Sequence, residues 1–367
     1  MPRGGVALGR EWLADLVEIS YSAMDLDGLL LEAARPEELA GMLLAALRLD
    51  LPTVCTPPAC LSLSASLVAL GFTPGFGDPA ATAVSLTESD GPRPGGLVDD
   101  FSLANALRAG VAAGGGPGVL VHLAALAREA GVSGFGQTIR VLAAETSEVA
   151  PAWLHEHGVP GLLASLGDTL HEVPTVAGNL KESLPPAPPA PEEHSRLVFV
   201  EARASGAEAV CRVRQDVVEV AGECRVFGSE EEAVSAVRKG EVGEGAMLVV
   251  GGCGPRGGPG LLRLEALGRS LHEAGLEVPV MTDGLAPEDA VGTWISLFTP
   301  EAATGGVINL LRDGDILRID LTEGRIRTRA REIDSREPGE VSNNVGTAYA
   351  ARYARTALSA LEGAGFG

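Results

Sequence analysis

The residues with the clearest chemical potential lie in the run Gly251-Gly-Cys-Gly-Pro-Arg-Gly-Gly-Pro-Gly260, between a segment that reads as a strand and one that reads as a helix. Backbone N–H groups at such a junction can cradle an anion, and Arg256 adds positive charge. The run matches neither the Walker nor the dinucleotide fingerprint, and a tight structural turn is the competing reading. Asp283-Gly284 follows the next strand, at a carboxyl end where ligand sites of α/β proteins gather. Cys253, near Arg256, is either a reactive thiol or a small side chain packed in a loop. His155-Glu-His157 resembles a metal pair, but side chains two apart on a helix face different ways, which favours surface histidines at a helix end. Asp313 and Asp315 flank Gly314 as hairpin residues do. No Ser/His/Asp or Cys/His order has a local signature.

Composition narrows the field. The 367 residues are 46% hydrophobic and 21% charged, enough for roughly two domains with sizeable cores. Lys and Arg number 28 against 49 Asp and Glu, a formal net charge of −21 spread along the chain. That sign argues against nucleic acid or an anionic membrane surface as partner. No apolar run approaches the ~18 residues of a membrane span and no charged-then-apolar leader opens the sequence, so a cytoplasmic protein is expected. The five cysteines, Cys55, Cys60, Cys211, Cys224 and Cys253, include no CxxC pair. Their number and spacing speak against a disulfide framework and against a self-contained zinc or ferredoxin-type site.

These residues need elements to position them. Proline-rich Pro185-Pro-Ala-Pro-Pro-Ala-Pro-Glu-Glu-His194 marks an extended spacer between a helix-rich first half and a strand-rich second half. In the first half, an amphipathic stretch at 10–24 precedes strand 27–31, helix 36–49 and strand 51–55, a βαβ unit whose helix opens with Pro36, Glu37 and Glu38. Further helices are predicted at 61–70, 102–111, 119–130 and 138–145. The second half offers strands at 197–202, 210–214, 217–220 and 224–227, then a helix from the capping box at Ser229 to about Arg238. Strand 247–250, the glycine loop, helix 261–274 and strand 277–281 follow, then strands 307–311, 316–321 and 326–329 and a last helix 348–361. This half reads as a small barrel or sheet sandwich carrying helices.

In order and spacing the segments resemble the dihydroxy-acid dehydratase and phosphogluconate dehydratase family almost end to end. The likeness rests on Asp27-Gly-Leu-Leu30, Gly41-Met42, Arg48-Leu-Asp-Leu-Pro52, Ala104-Asn-Ala106, Gly114-Gly115 and Val121 to Gly131 in the first half. In the second it rests on Gly254 to Gly260, Thr282-Asp-Gly284, Thr299-Pro-Glu-Ala302, Arg312-Asp-Gly-Asp315 and Ala351-Arg-Tyr-Ala354. The resemblance implies an N-terminal α/β domain with a sheet between helices (1–184), the proline-rich linker (185–195), a β-barrel-like C-terminal domain with flanking helices (196–344) and a C-terminal helix packing back on the body (345–367). It also implies pairing, as a homodimer or with a full-length homologue.

Family enzymes turn a 2,3-dihydroxy acid into a 2-keto acid with an iron–sulfur cluster as Lewis acid, a magnesium ion and a serine alkoxide as base. Against that pattern, the family's first cysteine and a magnesium-binding aspartate belong before the segment Leu8-Gly-Arg-Glu11. Arg35 stands at the second cysteine and Glu37 at a metal-binding lysine. The third cysteine's context is missing, with Cys60 several residues away, and Gly-Gly-Ser-Thr-Asn has become Gly114-Gly-Gly-Pro-Gly118. Arg263 replaces the magnesium-binding glutamate, with Glu265 close by, and Pro287 replaces the serine. Without thiolates a cluster is not held, arginine repels a dication, and proline has no proton to exchange. The expectation is a non-catalytic or repurposed member without cofactor, which holds a small carboxylate or sugar acid, or a partner, through Arg35, Glu37, Arg256, Gly258, Arg263, Asp283 and Gly284. The alternatives are a cluster-free hydro-lyase with Mg²⁺ on Glu37, Glu265 and Asp283, and a redox or cluster role for Cys55, Cys60 and Cys253.

Overall fold

A computed structural model of the chain describes residues 5–367 apart from 25, 76, 90, 203–204, 289, 329–332, 340 and 342–345. Arg329, the expected end of a strand, and the expected boundary at 344–345 lie outside the described residues. The chain divides into two compact units.

The unit Gly9–Ser195 is mostly helical. Its elements are α1 (Val6–Tyr21, entering from the other unit), β1 (Leu29–Leu31), α2 (Pro36–Leu49), β2 (Thr53–Cys55), α3 (Leu61–Leu70), α4 (Pro79–Glu88), α5 (Pro94–Leu97), α6 (Asp100–Ala112), α7 (Gly116–Glu129), α8 (Phe135–Glu145), β3 (Ser147–Val149), α9 (Pro151–Leu166), β4 (Pro174–Thr175) and β5 (Gly178–Asn179). Strands β1 and β2 pair in parallel, Leu29 against Thr53, so the expected βαβ unit is formed. Helix α6 starts on a reciprocal cap, in which the Ser102 amide donates to Asp99 and the Asp99 amide to the Ser102 hydroxyl. Small residues bring α3, α6 and α7 together: a Cβ on Gly110 would stand 2.3 Å from Ser66 Oγ and 2.9 Å from a Val119 methyl. Helices α4 and α9 are not foreseen in the sequence. In α9, Gly158 (φ 63°) and Pro160 read as breakers, and the helix does break at Gly158 before resuming. His155 and His157 therefore end its first segment, with His157 stacked on Trp153, ring centroids 4.7 Å apart. The proline-rich segment is held by Trp153, whose indole N–H donates to the Pro189 carbonyl at 3.1 Å.

The second unit comprises Arg196–Gly367 with residues 5–8, whose Gly5 and Val6 amides donate to the Pro259 and Leu261 carbonyls. Its strands are β6 (Glu193–Ala202), β7 (Ala207–Arg214), β8 (Glu219–Phe227), β9 (Ala246–Val250), β10 (Val280–Thr282), β11 (Trp294–Thr299), β12 (Ile316–Asp320) and β13 (Arg325–Thr328), with α10 (Glu230–Arg238), α11 (Glu265–Ala274) and α12 (Ala348–Thr356). The eight strands close in the order β13-β12-β8-β9-β10-β11-β7-β6, with β13 pairing back to β6 at Arg325 and Glu201. Strand alternation divides its apolar side chains between two cores. Met247 and Val249 of β9 join Cys211, Ile295, Leu317 and Ile319 inside the barrel, whereas Leu248 and Val250 pack outward with Val237, Leu267 and Leu271 of α10 and α11. Strands β8, β9, β10 and β11 run parallel, so Phe227, Val250, Thr282 and Thr299 end at one mouth of the barrel.

Several expectations are corrected here. Segments 217–220 and 224–227 belong to one strand, because Gly222 is no break: a side chain there would meet Ala246 and Gly245 backbone at 3.0 Å. Residues Val307–Leu310 form a 3-10 turn rather than a strand, after Gly306 packs against the Pro300 carbonyl too closely for any Cβ. Helix α11 begins at Glu265, not at 261, since Leu261 takes φ 68° to return the glycine loop to Gly254. Strand β11 is unforeseen, and the last helix stops at Thr356, after which Ala357 bridges to Phe366.

Candidate functional site at the barrel mouth

The mouth is built by the loops that leave the parallel strands. The glycine loop leaves β9, Asp283-Gly284 leaves β10, and Pro300-Glu301-Ala302 leaves β11. At their centre is Asp283, which is 1% exposed. Its carboxylate accepts the amides of Cys253 at 2.8 Å, Gly252 at 3.1 Å and Ala302 at 3.0 Å. The Gly252 and Cys253 amides of the loop are therefore taken by the protein's own carboxyl group. Burial pushes the Asp283 carboxyl up, and these amides pull the other way.

Backbone packing explains the glycines. A Cβ on Gly258 would lie 2.4 Å from the Gly254 carbonyl, and one on Gly284 would lie 2.6 Å from the Leu262 carbonyl and 2.8 Å from Cys253 Cβ. Both positions are contacts between chain segments. Arg256 projects from the same loop and is exposed; its Nε donates to the Ala357 carbonyl at 3.2 Å. Beneath the loop lies Glu301, 1% exposed, against which a Cβ on Gly254 would press at 2.7 Å from Cγ. One Glu301 oxygen has no hydrogen-bond partner and the other accepts the Thr304 hydroxyl at 3.4 Å. Burial pushes the Glu301 carboxyl up, opposed by the nearby charge of Arg256. Sequence reasoning quotes Glu301 only within a motif and misses it as a site residue. The available signal is a carboxyl directly after an apolar strand, at the end where Asp283 also sits.

The remaining candidates are placed apart. Arg263 forms an ion pair with Glu288, its side chain only 12% exposed, and Glu265 is exposed at the start of α11. Pro287 packs on α11, where a Cβ on Gly268 would come within 2.5 Å of its ring. Arg35 and Glu37 belong to the other unit, at the N-terminus of α2. Arg35 pairs with Glu38 at 2.7 Å and with Glu37 at 3.4 Å, and the hydrogen bond to Glu38 raises its pKa. Glu37 is buried with one oxygen unpartnered.

A cluster or a magnesium ion needs convergent ligands. Among the described residues no three His, Cys, Asp or Glu side chains are grouped to hold a metal ion. The five cysteines are all free thiols: Cys55 on β2 and Cys60 before α3 in one unit, Cys211 on β7, Cys224 on β8 and Cys253 in the glycine loop in the other. Burial pushes the thiols of Cys55, Cys211 and Cys253 well up and that of Cys224 up to about 12, against the thiolate form a cluster requires. The residues present do not fit either group.

Fold and site together define a barrel protein whose loops converge at the carboxyl ends of parallel strands, joined to a helical α/β unit. The dihydroxy-acid/6-phosphogluconate dehydratase C-terminal family matches residues 199–364. The chain is 28% identical to a dihydroxy-acid dehydratase of Geobacter metallireducens, across 97% of this chain and 82% of the relative. It is 31% identical to the dihydroxy-acid dehydratase of Trichlorobacter lovleyi (77% and 56%) and 32% identical to that of Geobacter sulfurreducens (71% and 53%). The chain belongs to the dihydroxy-acid and phosphogluconate dehydratase family. No helix among the described residues is long and apolar enough to cross a membrane.

Proposed function

We propose that this family member binds a small organic acid through Arg256 at the barrel mouth and does not dehydrate it by a cluster-dependent route. The observation that carries the reading is the disposition of ligands: the thiols are scattered, four of the five are buried, and Asp283 already accepts three backbone amides. Arg256 supports the acid-binding half, since it is exposed at the mouth while Arg35 and Arg263 are committed to carboxylates. A guanidinium held through Nε presents its terminal nitrogens as a fork that suits a carboxylate.

A second reading keeps hydro-lyase activity without a cluster, and similarity to named dihydroxy-acid dehydratases over 97% of the chain favours it. One experiment separates the two. Protein reconstituted anaerobically with iron, sulfide and Mg²⁺ is incubated with glycerate and longer 2,3-dihydroxy acids, and 2-keto acid is measured beside glycerate binding by calorimetry. The proposal expects no keto acid, no cluster absorbance, and saturable binding that Arg256→Ala weakens by about tenfold or more. Keto acid formed without a cluster establishes the second reading, and a cluster of stoichiometric iron and sulfide overturns the first.

A further inference from the structure

We propose that the helical unit carries a separate binding site for a small neutral molecule with a hydrogen-bonding oxygen. A cleft of about 440 Å³ opens between α3, the turn after it, the second segment of α9 and the chain from Thr175 to Leu184. That volume lies within the ~300–1,000 Å³ typical of small-molecule pockets. All the described residues that line it belong to the unit Gly9–Ser195.

Two properties define the occupant. The first is charge: Val68, Leu163, Leu180, prolines, glycines and hydroxyl residues line the cleft, and among the described residues no lining side chain is ionisable. A carboxylate entering it would lose its hydration and meet no cation, so an ionised acid is excluded. The second is a buried hydroxyl with nothing to bond. Ser183 Oγ donates to the Leu180 carbonyl at 2.7 Å, and Thr175 Oγ1 accepts the Ala177 amide at 3.2 Å. Thr73 differs: it is 3% exposed and its buried hydroxyl has no partner, and Ser64, 6% exposed, adds a second hydroxyl residue to the wall. Nearly all buried polar groups in proteins are paired, and leaving one unpaired costs about 1–3 kcal/mol. One such group, on the wall of a cleft whose described lining carries no charge, matches a ligand with an apolar body and a hydroxyl or carbonyl oxygen.

The test uses the full chain at neutral pH with cyclohexanol as probe and cyclohexanecarboxylate as its charged counterpart, by saturation-transfer NMR and calorimetry. Cyclohexanol is expected to bind saturably and the carboxylate not to compete for the cleft. Ser64→Ala, a near-isosteric change, should weaken the alcohol about five- to tenfold. Val68→Phe should abolish its binding, with folding checked by circular dichroism. Absence of cyclohexanol binding at 10 mM overturns the proposal. So does binding that neither variant alters, or a crystal structure grown with the probe in which only water reaches Thr73 and Ser64. Neither variant touches Arg256, so glycerate binding at the barrel mouth reports separately on the function proposed above.

Discussion

The carboxylate of Asp283 accepts the backbone N–H of Ala302 at 3.0 Å, so a side chain at the end of β10 fastens the loop that leaves β11. Through the Gly252 and Cys253 amides the same carboxylate also fastens the loop that leaves β9. Three strand ends thus share one buried anchor.

Removing that anchor leaves three buried donors unsatisfied. Asp283→Ala is expected to lower stability by about 3–5 kcal/mol in urea unfolding. Formate, an anion of the right shape, should restore part of the loss in a concentration-dependent way, and formamide at the same concentration should not. A loss below about 1 kcal/mol would show that the loops hold without it.

Gly284→Ala tests the packing argument. The added methyl meets the Leu262 carbonyl and Cys253 Cβ inside 3 Å, where backbone must move to make room. A destabilisation of about 1–3 kcal/mol is expected from thermal or denaturant melting. Gly275→Ala, where nothing lies within 4 Å, is the control for glycine loss alone, although its φ of 62° adds strain of its own.

Thiol titration should divide the cysteines. Cys60 is partly exposed, and Cys55, Cys211, Cys224 and Cys253 are buried. Ellman's reagent is expected to modify Cys60 quickly in the native protein and the other four only as it unfolds. Cys60→Ser should abolish the fast phase; rapid reaction of several thiols would refute the dispersed, mostly buried arrangement on which the proposed loss of the cluster-dependent route rests.

Acid stability should depend on Asp315. Both Arg336 terminal nitrogens bond to its carboxylate and the Arg312 amide adds a third bond, so the hydrogen bond from Arg336 holds this carboxyl below the usual range. A carboxyl depressed in the folded state contributes stability above its unfolded pKa of about 3.9 and loses it as pH falls through the folded value. Urea midpoints should therefore fall more steeply below about pH 4 in the wild type than in Asp315→Asn. Identical pH profiles would remove the pair from the acid response.

Much of this molecule is legible in its sequence because local signals agree with tertiary structure. Pro36 with Glu37 and Glu38 starts α2 where expected, and Ser229 caps α10, its hydroxyl accepting the Glu232 amide at 3.2 Å. The failures share a cause in glycine. Gly222 sits inside a strand because β9 passes close, Gly158 interrupts α9 without ending it, and Gly306 turns the chain where an apolar run suggests a strand. Local pattern does not reveal which neighbour a glycine admits. The mouth residues show the same limit: Asp283 is found from its place after a strand, but its three amide partners lie 19 to 31 positions away in sequence. Glu301 becomes visible only once the loops are folded.

The barrel closes where β13 returns to β6, with Arg325 opposite Glu201 and the Glu201 amide donating to the Gly324 carbonyl at 2.9 Å. A cylinder joined in this way shows neither strand's edge to solvent at that seam. Glu201→Pro would remove the amide that makes the joint and leave two bare edges side by side, so amides of β6 and β13 should then exchange with solvent deuterium faster than those of β8 and β9, and the variant should self-associate more readily than the parent.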